Sequence, residues 1–396
     1  MSVVRRIREP IISNHDIHNA FDAITYLKGG AVLSMWESYL GEKRFQKAVS
    51  HHVKRFPFGV ATSKDFLESL AAFSSGQFKK SADSFLNQTG FPVVDLSYEC
   101  NKRGFKVSLN QSRYVPMGSK AISDATWEIP LCIGYEVKGS QKKHCFMMSN
   151  RKEEIEIKTK HCPQYVNPNY KGKGYYRYAL NQDQWQKLIN APKKAVKGSH
   201  RMAMADSLLG ELYAGKKDFA FVANALRSIV DKDDPYVVRS FMTLVREASN
   251  HWADLQHKDA LNAFAKSALY PIYDALKHSA KISANEKLLR RDLAHFLANV
   301  VQDKKVRADL SDLGKNYFED LILTGRPAST DEMMMSPALG VILQDHDEAS
   351  LKKIIKRLDG HPDVVVRKRV LDALAMSRVG EQASMVRELV FDKALR

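Results

Sequence analysis

The spacing of apolar residues changes twice along this 396-residue chain. In residues 1–92, and again from residue 192 onward, apolar side chains recur every three or four positions, which is typical of amphipathic helices. Between residues 93 and 191 the period shortens to about two, and Asn, Gly, Ser and Lys turns separate the short runs. The sequence therefore predicts a multidomain α+β protein in three parts: helices, a β-sandwich and a second set of helices.

Local signals place several element boundaries. The alternating segments predict strands at 92–98, 104–111, 127–137, 144–148, 155–158 and 174–180. Gly41 is expected to end one helix, because glycine is favoured just past a helix C-terminus. Thr62 or Ser63 is expected to cap another helix. Residues 192–199 are expected to form a linker, and Ser199 could cap the helix that follows this linker.

Charge and hydropathy limit the classes of function. The net charge of +16 invites a nucleic-acid interpretation, but the basic residues are spread along the whole chain and no nucleic-acid motif accompanies them. General surface basicity is favoured, with no dedicated nucleic-acid site. No apolar run approaches the roughly 18 residues of a membrane span, and the N-terminus lacks an apolar signal core. The chain as given is expected to be soluble and cytoplasmic, and export of a longer parent protein stays open.

The four cysteines lie within one 63-residue segment of the predicted β region, at Cys100, Cys132, Cys145 and Cys162. An even count could mean two disulfides and an oxidising compartment, with three alternative pairings. Free buried cysteines fit the sequence equally well. The spacing does not match the short Cys pairs of structural zinc sites, so no metal site is expected here.

A tyrosine followed closely by two glycines marks the most informative helix, at Tyr26, Gly29 and Gly30. Adjacent glycines weaken a helix by roughly 1 kcal/mol each relative to alanine. A helix that keeps them usually has another group passing close to its backbone, so we expect such an approach here. Tyr26 is therefore a candidate for a fixed, functional hydroxyl.

Five segments in order carry a family resemblance. The run Ile-Thr-Tyr-Leu-Lys-Gly-Gly-Ala-Val-Leu at 24–33 resembles the tyrosine-bearing helix of the aminopeptidase N family of zinc metallopeptidases. Four later segments also resemble segments of that family, in the same order: Tyr-Leu-Gly-Glu-Lys-Arg-Phe at 39–45, Ala-Thr-Ser-Lys-Asp-Phe at 61–66, Phe-Leu-Asn-Gln-Thr-Gly-Phe-Pro-Val-Val at 85–94, and Gly-Tyr-Tyr-Arg at 174–177. The resemblance covers nearly the whole chain.

The resemblance implies a specific chemistry. In that family a His-Glu-x-x-His helix and a later Glu hold a zinc ion, an upstream Gly-x-Met-Glu-Asn loop binds the free amine of the substrate, and a tyrosine stabilises the oxyanion. Tyr26 is the one of these residues that maps onto this chain, and none of its thirteen histidines lies in a His-Glu-x-x-His motif. We therefore expect zinc in the parent family, none bound by this chain alone, and no peptidase activity from the isolated chain.

The resemblance also implies an architecture. Residues 1–92 would be the C-terminal helical part of a thermolysin-like catalytic domain, residues 93–191 a β-sandwich, and residues 192–396 an α-helical solenoid of the HEAT or armadillo type. Two echoing segments, Asp-Pro-Tyr-Val-Val-Arg at 234–239 and Pro-Asp-Val-Val-Val-Arg at 362–367, fit irregular helical repeats.

Two readings of the function follow. In the first, the chain is the C-terminal portion of a metallo-aminopeptidase that acts on peptides, and its partner is the missing N-terminal catalytic half. An apolar face of residues 31–39 would then be uncovered and would favour self-association. In the second, the sandwich and solenoid form a non-catalytic interaction module for peptides or acidic partners. Residues that bind the substrate cannot be named from the sequence.

Overall fold

The computed structural model describes residues 5–20, 23–74, 76–120, 124–318, 332–345, 351–352, 355–356, 363–376, 384 and 386. Within it the chain divides into two compact units, Met1–Ile229 and Val230–Arg396. Unit 1 combines helices with two small sheets, as the α+β prediction requires, and the described elements of unit 2 are helices. The division at residues 92 and 192 stays a prediction.

Unit 1 begins with helices. They are α1 (Asn14–Ala20), a π-helical turn (Ile24–Lys28), α2 (Gly29–Leu40), α3 (Glu42–Arg55), α4 (Ser63–Ala71) and α5 (Phe78–Asn87). Gly41 ends α2 with a φ of 87°, as predicted. Thr62 caps α4, since its side chain accepts from the Asp65 N–H while the Asp65 carboxylate accepts from the Thr62 N–H. This reciprocal capping box confirms Thr62, not Ser63, as the capping residue.

Helix α2 packs into the interior of unit 1. Its buried side chains include Val32, Met35 and Trp36. The Trp36 ring lies 5.0 Å from that of Phe78 in α5, and its indole Nε1 donates to the Ser81 hydroxyl at 3.4 Å. The prediction that residues 31–39 present an uncovered face is therefore wrong, since none of them is exposed. The large exposed apolar side chains near this end of the chain lie elsewhere, at Ile11, Ile12, Ile17, Tyr26, Leu27, Val53, Phe58 and Val60.

Two sheets follow along the chain, and most of their strand pairs are antiparallel. The strands are β1 (Pro92–Asn101), β2 (Gly104–Arg113), β3 (Ile129–Val137), β4 (Ser140–Met148), β5 (Lys152–Lys158), β6 (Val166–Asn167) and β7 (Arg177–Leu180). The sheet orders are β5-β2-β1-β7 and β4-β3-β6, and β7 pairs parallel to β1. The six predicted strands are confirmed with shifted ends, whereas the two-residue β6 was not predicted. The inner faces meet where the Phe105 and Tyr135 rings pack 5.2 Å apart.

The cysteines form two disulfides, Cys100–Cys162 and Cys132–Cys145. Cys132 and Cys145 stand directly opposite each other in the β3–β4 register. The structure therefore selects the disulfide alternative over free buried thiols.

Helices α6 (Gln182–Ile189), α7 (Ser199–Tyr213) and α8 (Phe219–Ile229) complete unit 1. Helix α6 follows the last predicted strand, inside the region 93–191 that was predicted to be a β-sandwich, and the Asn181 side chain caps it. The expectation that Ser199 caps α7 is wrong. Gly198 occupies the cap position with a φ of 58°, which glycine tolerates, and the Ser199 hydroxyl donates to the Lys171 carbonyl at 2.6 Å instead.

The described part of unit 2 is helical. It contains α9 (Pro235–His251), α10 (Leu255–Lys277), α11 (Ala284–His295), a π-helical turn (Phe296–Val300), α12 (Lys304–Phe318), a short 3₁₀ turn (Glu332–Met334), α13 (Met335–Asp345) and α14 (Val364–Leu374). Pro235 opens α9, as the first echo predicts. Asp363 caps α14, and Pro362 of the second echo lies outside the described residues. Successive pairs such as α10 with α11 and α12 with α13 pack together.

Candidate functional site at the tyrosine helix

Tyr26 lies in the π-helical turn that precedes α2, and its side chain is 64% exposed. Leu27 beside it is 73% exposed, whereas Lys28 is 8% exposed. Isolated π-turns inserted into helices are rare and occur frequently at functional sites. The structure thus presents the candidate hydroxyl at the surface of unit 1.

The glycine pair does not have the role predicted from the sequence. A Cβ atom on Gly29 would meet Ile7 at an ordinary contact distance of 3.8 Å, and one on Gly30 would meet no described atom within 4 Å. No close approach of another group to the backbone therefore accounts for these glycines. The pair lies where the π-turn passes into α2.

Lys28 connects the tyrosine helix to the start of the sandwich. Its Nζ donates to the Gly90 carbonyl at 3.0 Å and lies 5.9 Å from the centre of the Tyr175 ring. Burial, and secondarily the positive charge of Arg113, lower the pKa of the Lys28 ammonium to about 8. Three of the segments that carry the family resemblance therefore meet at this one side chain.

The same contacts continue to the strand β7. The Phe91 ring packs edge-on against Tyr175 at 6.0 Å, and the Arg177 guanidinium lies 5.1 Å from the Phe91 ring. Arg177 donates twice to the Asp206 carboxylate of α7, at 2.9 and 2.8 Å. We name Lys28, Gly90, Phe91, Tyr175 and Arg177 the junction cluster. It holds the helices, the sandwich and α7 together.

A cavity of about 230 Å³ lies beside this cluster, between the outer face of the β1–β2–β7 sheet and α7. We call it the α7 cavity; its wall includes Arg113, Tyr114, Arg177, Ser207, Glu211 and Lys216. The Glu211 carboxylate accepts a hydrogen bond from the Trp185 indole at 2.5 Å, and burial raises its pKa to about 7. Sequence reasoning missed Glu211, because a single glutamate in an amphipathic helix gives no sign that a sheet will cover it.

The described residues do not fit a zinc ion. Within the described ranges, no group of three or more His, Cys, Asp or Glu side chains is placed to hold a metal. All four cysteines are in disulfides. Tyr26 is the residue that the sequence predicted for the site, and a functional proposal can be based on it.

A bilayer span requires a helix that is both long and apolar, and no helix among the described residues meets this requirement.

Two family models match the chain. The model described as "ERAP1-like C-terminal domain" matches residues 165–396, more than half of the chain, and "Peptidase family M1 domain" matches residues 1–88. The chain belongs to the M1 aminopeptidase family. The M1 match covers the helices that carry Tyr26, and the second match begins just before β6.

Individual M1 relatives agree with this assignment. The chain is 22% identical over 394 residues to a puromycin-sensitive aminopeptidase of Caenorhabditis elegans, covering 98% of this chain and 41% of the relative. It is 24% identical over 322 residues to a probable aminopeptidase 2 of Sulfurisphaera tokodaii, covering 80% and 37%. It is 27% identical over 182 residues to the mitochondrial aminopeptidase 2 of Saccharomyces cerevisiae, covering 46% and 18%. The chain spans less than half the length of these relatives.

Proposed function

We propose that this chain supplies the C-terminal portion of a zinc-dependent aminopeptidase that removes N-terminal residues from peptides, with Tyr26 stabilising the oxyanion. The observation that carries the proposal is the exposed Tyr26 side chain, which lies within the residues matched by the M1 peptidase model. In this proposal residues 1–92 are the helical end of a thermolysin-like domain. Residues 192–396 are the HEAT-like helical solenoid.

The chemistry follows from the charge that develops during peptide hydrolysis. When a nucleophilic oxygen attacks the peptide carbonyl, the carbonyl oxygen becomes negative. A donor directed at that oxygen lowers the barrier more than it strengthens substrate binding. The Tyr26 phenol can donate in this way without being consumed, and loss of one such donor typically costs about 100- to 1000-fold in kcat.

In this proposal the zinc ligands come from polypeptide outside this sequence, which contains no His-Glu-x-x-His motif. Exposed apolar side chains of the region that the M1 model matches, such as Leu27, Phe58 and Val60, would provide the surface on which that polypeptide packs. Without such a partner, the same side chains favour self-association. We therefore propose that the isolated chain is inactive and that the M1 region carrying the zinc helix restores activity.

A peptidase assay tests this proposal. The purified chain, with and without added zinc, is expected not to cleave aminoacyl-coumarin substrates, whereas co-expression with the zinc-bearing region is expected to give turnover. In that complex, Tyr26→Phe should lower kcat by about 100- to 1000-fold. Tyr236→Phe is the matched control, because Tyr236 is 63% exposed and lies in α9 of the other unit.

Two outcomes would contradict the proposal. Zinc-dependent turnover by the chain alone, abolished by Tyr26→Phe, would overturn the assignment of inactivity. Equal kcat for Tyr26→Phe and Tyr236→Phe would remove the role of the phenol. If the chain never supports turnover and instead captures acidic proteins at roughly 150 mM salt, the interaction-module alternative is favoured.

The disulfides extend the proposal to the cellular compartment. Two disulfides in one β region are typical of proteins that mature in an oxidising environment. We therefore propose that the parent enzyme is exported. Alkylation of the protein under non-reducing conditions, followed by mass measurement, should find no free thiol; four alkylated cysteines in protein isolated from its native source would contradict this.

A further inference from the structure

Eight lysines of unit 1 are brought together by the fold, although they come from three separate parts of the sequence. They lie in the segments 138–144, 169–174 and 191–200, which contain no aspartate or glutamate. These segments supply half of the net charge of +16. All eight side chains are exposed: Lys138, Lys142, Lys143, Lys171, Lys173, Lys193, Lys194 and Lys197.

The first two segments meet at the Tyr170 ring. A Cβ atom on Gly134 would lie 2.8 Å from this ring, so the glycine allows the ring to lie against the backbone of β3. Lys143 is directly opposite Gly134 in the β3–β4 register, and its Nζ lies 5.7 Å from the centre of the ring. The Nζ of Lys171 also lies 5.7 Å from that centre. Two ammonium groups are therefore held beside one half-buried tyrosine.

The third segment joins the other two through the start of α7. The Ser199 hydroxyl donates to the Lys171 carbonyl at 2.6 Å, and the His200 ring lies 5.8 Å from the Tyr170 ring. Residues of all three segments border a cavity of about 10 Å³, which has room for about one water molecule and not for an organic ligand. We name the three segments together the lysine surface.

The two lysines beside the tyrosine have no negative partner. Within the part of the chain that the structure describes, Lys143 and Lys171 make no ion pair, whereas Lys216 pairs with a carboxylate at 3.0 Å. Glu136 of β3 borders the first segment, but it is buried and its carboxylate accepts from the Gly139 N–H. The positive charge of the lysine surface is therefore available to a binding partner.

The composition of the lysine surface favours one class of partner. The three segments contain no arginine, the residue whose paired donors recognise a single phosphate in a fixed geometry. Single-stranded nucleic acids bind by stacking on aromatic rings, but Tyr170 is half-buried against Gly134. Lysine ammonium groups act as point charges, and a layer of lipid phosphates requires neither paired donors nor stacking.

We propose that the lysine surface binds peripherally to a membrane that carries anionic phospholipids. Each lysine held near such a membrane adds to the attraction, which decreases within a Debye length and with added salt. In this arrangement the protein lies on the lipid headgroups and does not cross the bilayer. The proposal does not depend on the peptidase activity proposed for Tyr26.

Vesicle flotation of the full 396-residue chain tests this surface. The probe is a vesicle of equal parts phosphatidylglycerol and phosphatidylcholine, and a vesicle of phosphatidylcholine alone is the neutral reference. At about 0.1 M salt, where the Debye length is about 10 Å, the chain is expected to float with the anionic vesicles and not with the neutral ones. Binding should decrease as the salt is raised to about 1 M, where the Debye length is about 3 Å.

Substitutions assign the binding to the lysine surface. Lys143→Gln combined with Lys171→Gln should weaken binding to the anionic vesicles by about tenfold or more. Lys79→Gln combined with Lys80→Gln removes the same charge from exposed positions on α5, outside the three segments, and should weaken binding by less than about twofold. If the first double variant fails to fold, Lys194→Gln replaces it and should weaken binding several-fold.

Three results would overturn the proposal. The first is an equal loss of binding in the α5 double variant and in the variants of the lysine surface, because the attraction would then depend on net charge alone. The second is the absence of binding to the anionic vesicles at about 0.1 M salt. The third is binding of duplex DNA, but not of vesicles, that is lost in the Lys143 and Lys171 double variant, which would make this a nucleic-acid surface.

Discussion

Tyr26 and Lys28 belong to the same π-helical turn, yet they face opposite surroundings. The Tyr26 side chain is 64% exposed, whereas that of Lys28 is 8% exposed and donates to Gly90. The same division continues along the chain, with Leu27 on the exposed side and Trp36 of α2 on the buried side. The resemblance motif therefore combines residues with two different tasks.

The inward residues hold parts of this chain to one another. Lys28 reaches Gly90 and Tyr175, and Arg177 reaches Asp206, so their contacts are satisfied within unit 1. Tyr26 and Leu27 expose most of their side chains instead. We therefore expect substitutions on the inward side to change stability, and those on the outward side to change activity or association.

The largest expected effect comes from removing packing on the inward side. Trp36→Ala should lower the free energy of unfolding by about 4 kcal/mol, because it empties a fully buried site against Phe78. Leu27→Ala should change it by no more than about 0.5 kcal/mol, because Leu27 is 73% exposed. Urea unfolding measures both. Similar losses in the two variants would contradict the division into inward and outward residues.

Glu211 gives the inward side a pH dependence. Its pKa is raised from 4.5 to about 7 in the folded protein, so the folded state binds more protons than the unfolded chain between these values. Stability from this group is present below pH 4.5 and is lost as the pH rises through about 7. Glu211→Gln should therefore be about 3 kcal/mol more stable than the wild type at alkaline pH.

The control for Glu211 is Glu99→Gln, which removes an exposed carboxyl from β1. It should follow the wild-type pH profile of urea unfolding. A wild-type profile with no decline across the window from pH 4.5 to 7, relative to Glu211→Gln, would show that this carboxyl is ionised without cost in the fold.

Lys28 should produce a smaller effect of the opposite sign. Its pKa is lowered from 10.5 to about 8, so between these values the folded state binds fewer protons than the unfolded chain. Wild-type stability should rise over this range by about 1–2 kcal/mol relative to Lys28→Met, after allowance for partial solvent screening. Urea midpoints of both proteins from pH 7.5 upward measure it. Parallel profiles would mean that Lys28 stays hydrated.

Local sequence signals predicted much of the fold. The two-residue period located six strands, and Thr62 with Asp65 formed the expected cap. Predictions that depend on backbone geometry were less reliable. Gly198, and not Ser199, occupies the N-cap of α7, and a capping motif in the sequence does not reveal the positive φ of Gly198. Helix α6 was missed because it is short and follows β7 almost directly.

Within the candidate site, the sequence predicted only the residue that belongs to a family motif. Tyr26 was found through the resemblance, and the exposure of its side chain agrees with a functional hydroxyl. The exposed apolar side chains of the N-terminal helices and their loops, such as Leu27 and Phe58, were not predicted, because periodicity shows which face is apolar but not which neighbour covers it. Burial of Glu211 and Lys28 depends on contacts between segments far apart in sequence, such as Lys28 with Gly90.

The parallel pairing of β7 with β1 has a consequence for how the chain could be divided. β7 lies at the edge of its sheet, yet it falls inside the stretch that begins at residue 165 and matches the C-terminal family model. A polypeptide that stopped before Arg177 would expose the backbone hydrogen-bonding groups of β1, and unpaired edges of this kind promote aggregation. Shuffling of the two matched regions between M1 proteins would therefore require a breakpoint after Leu180, with the strand inherited together with the sheet that it completes.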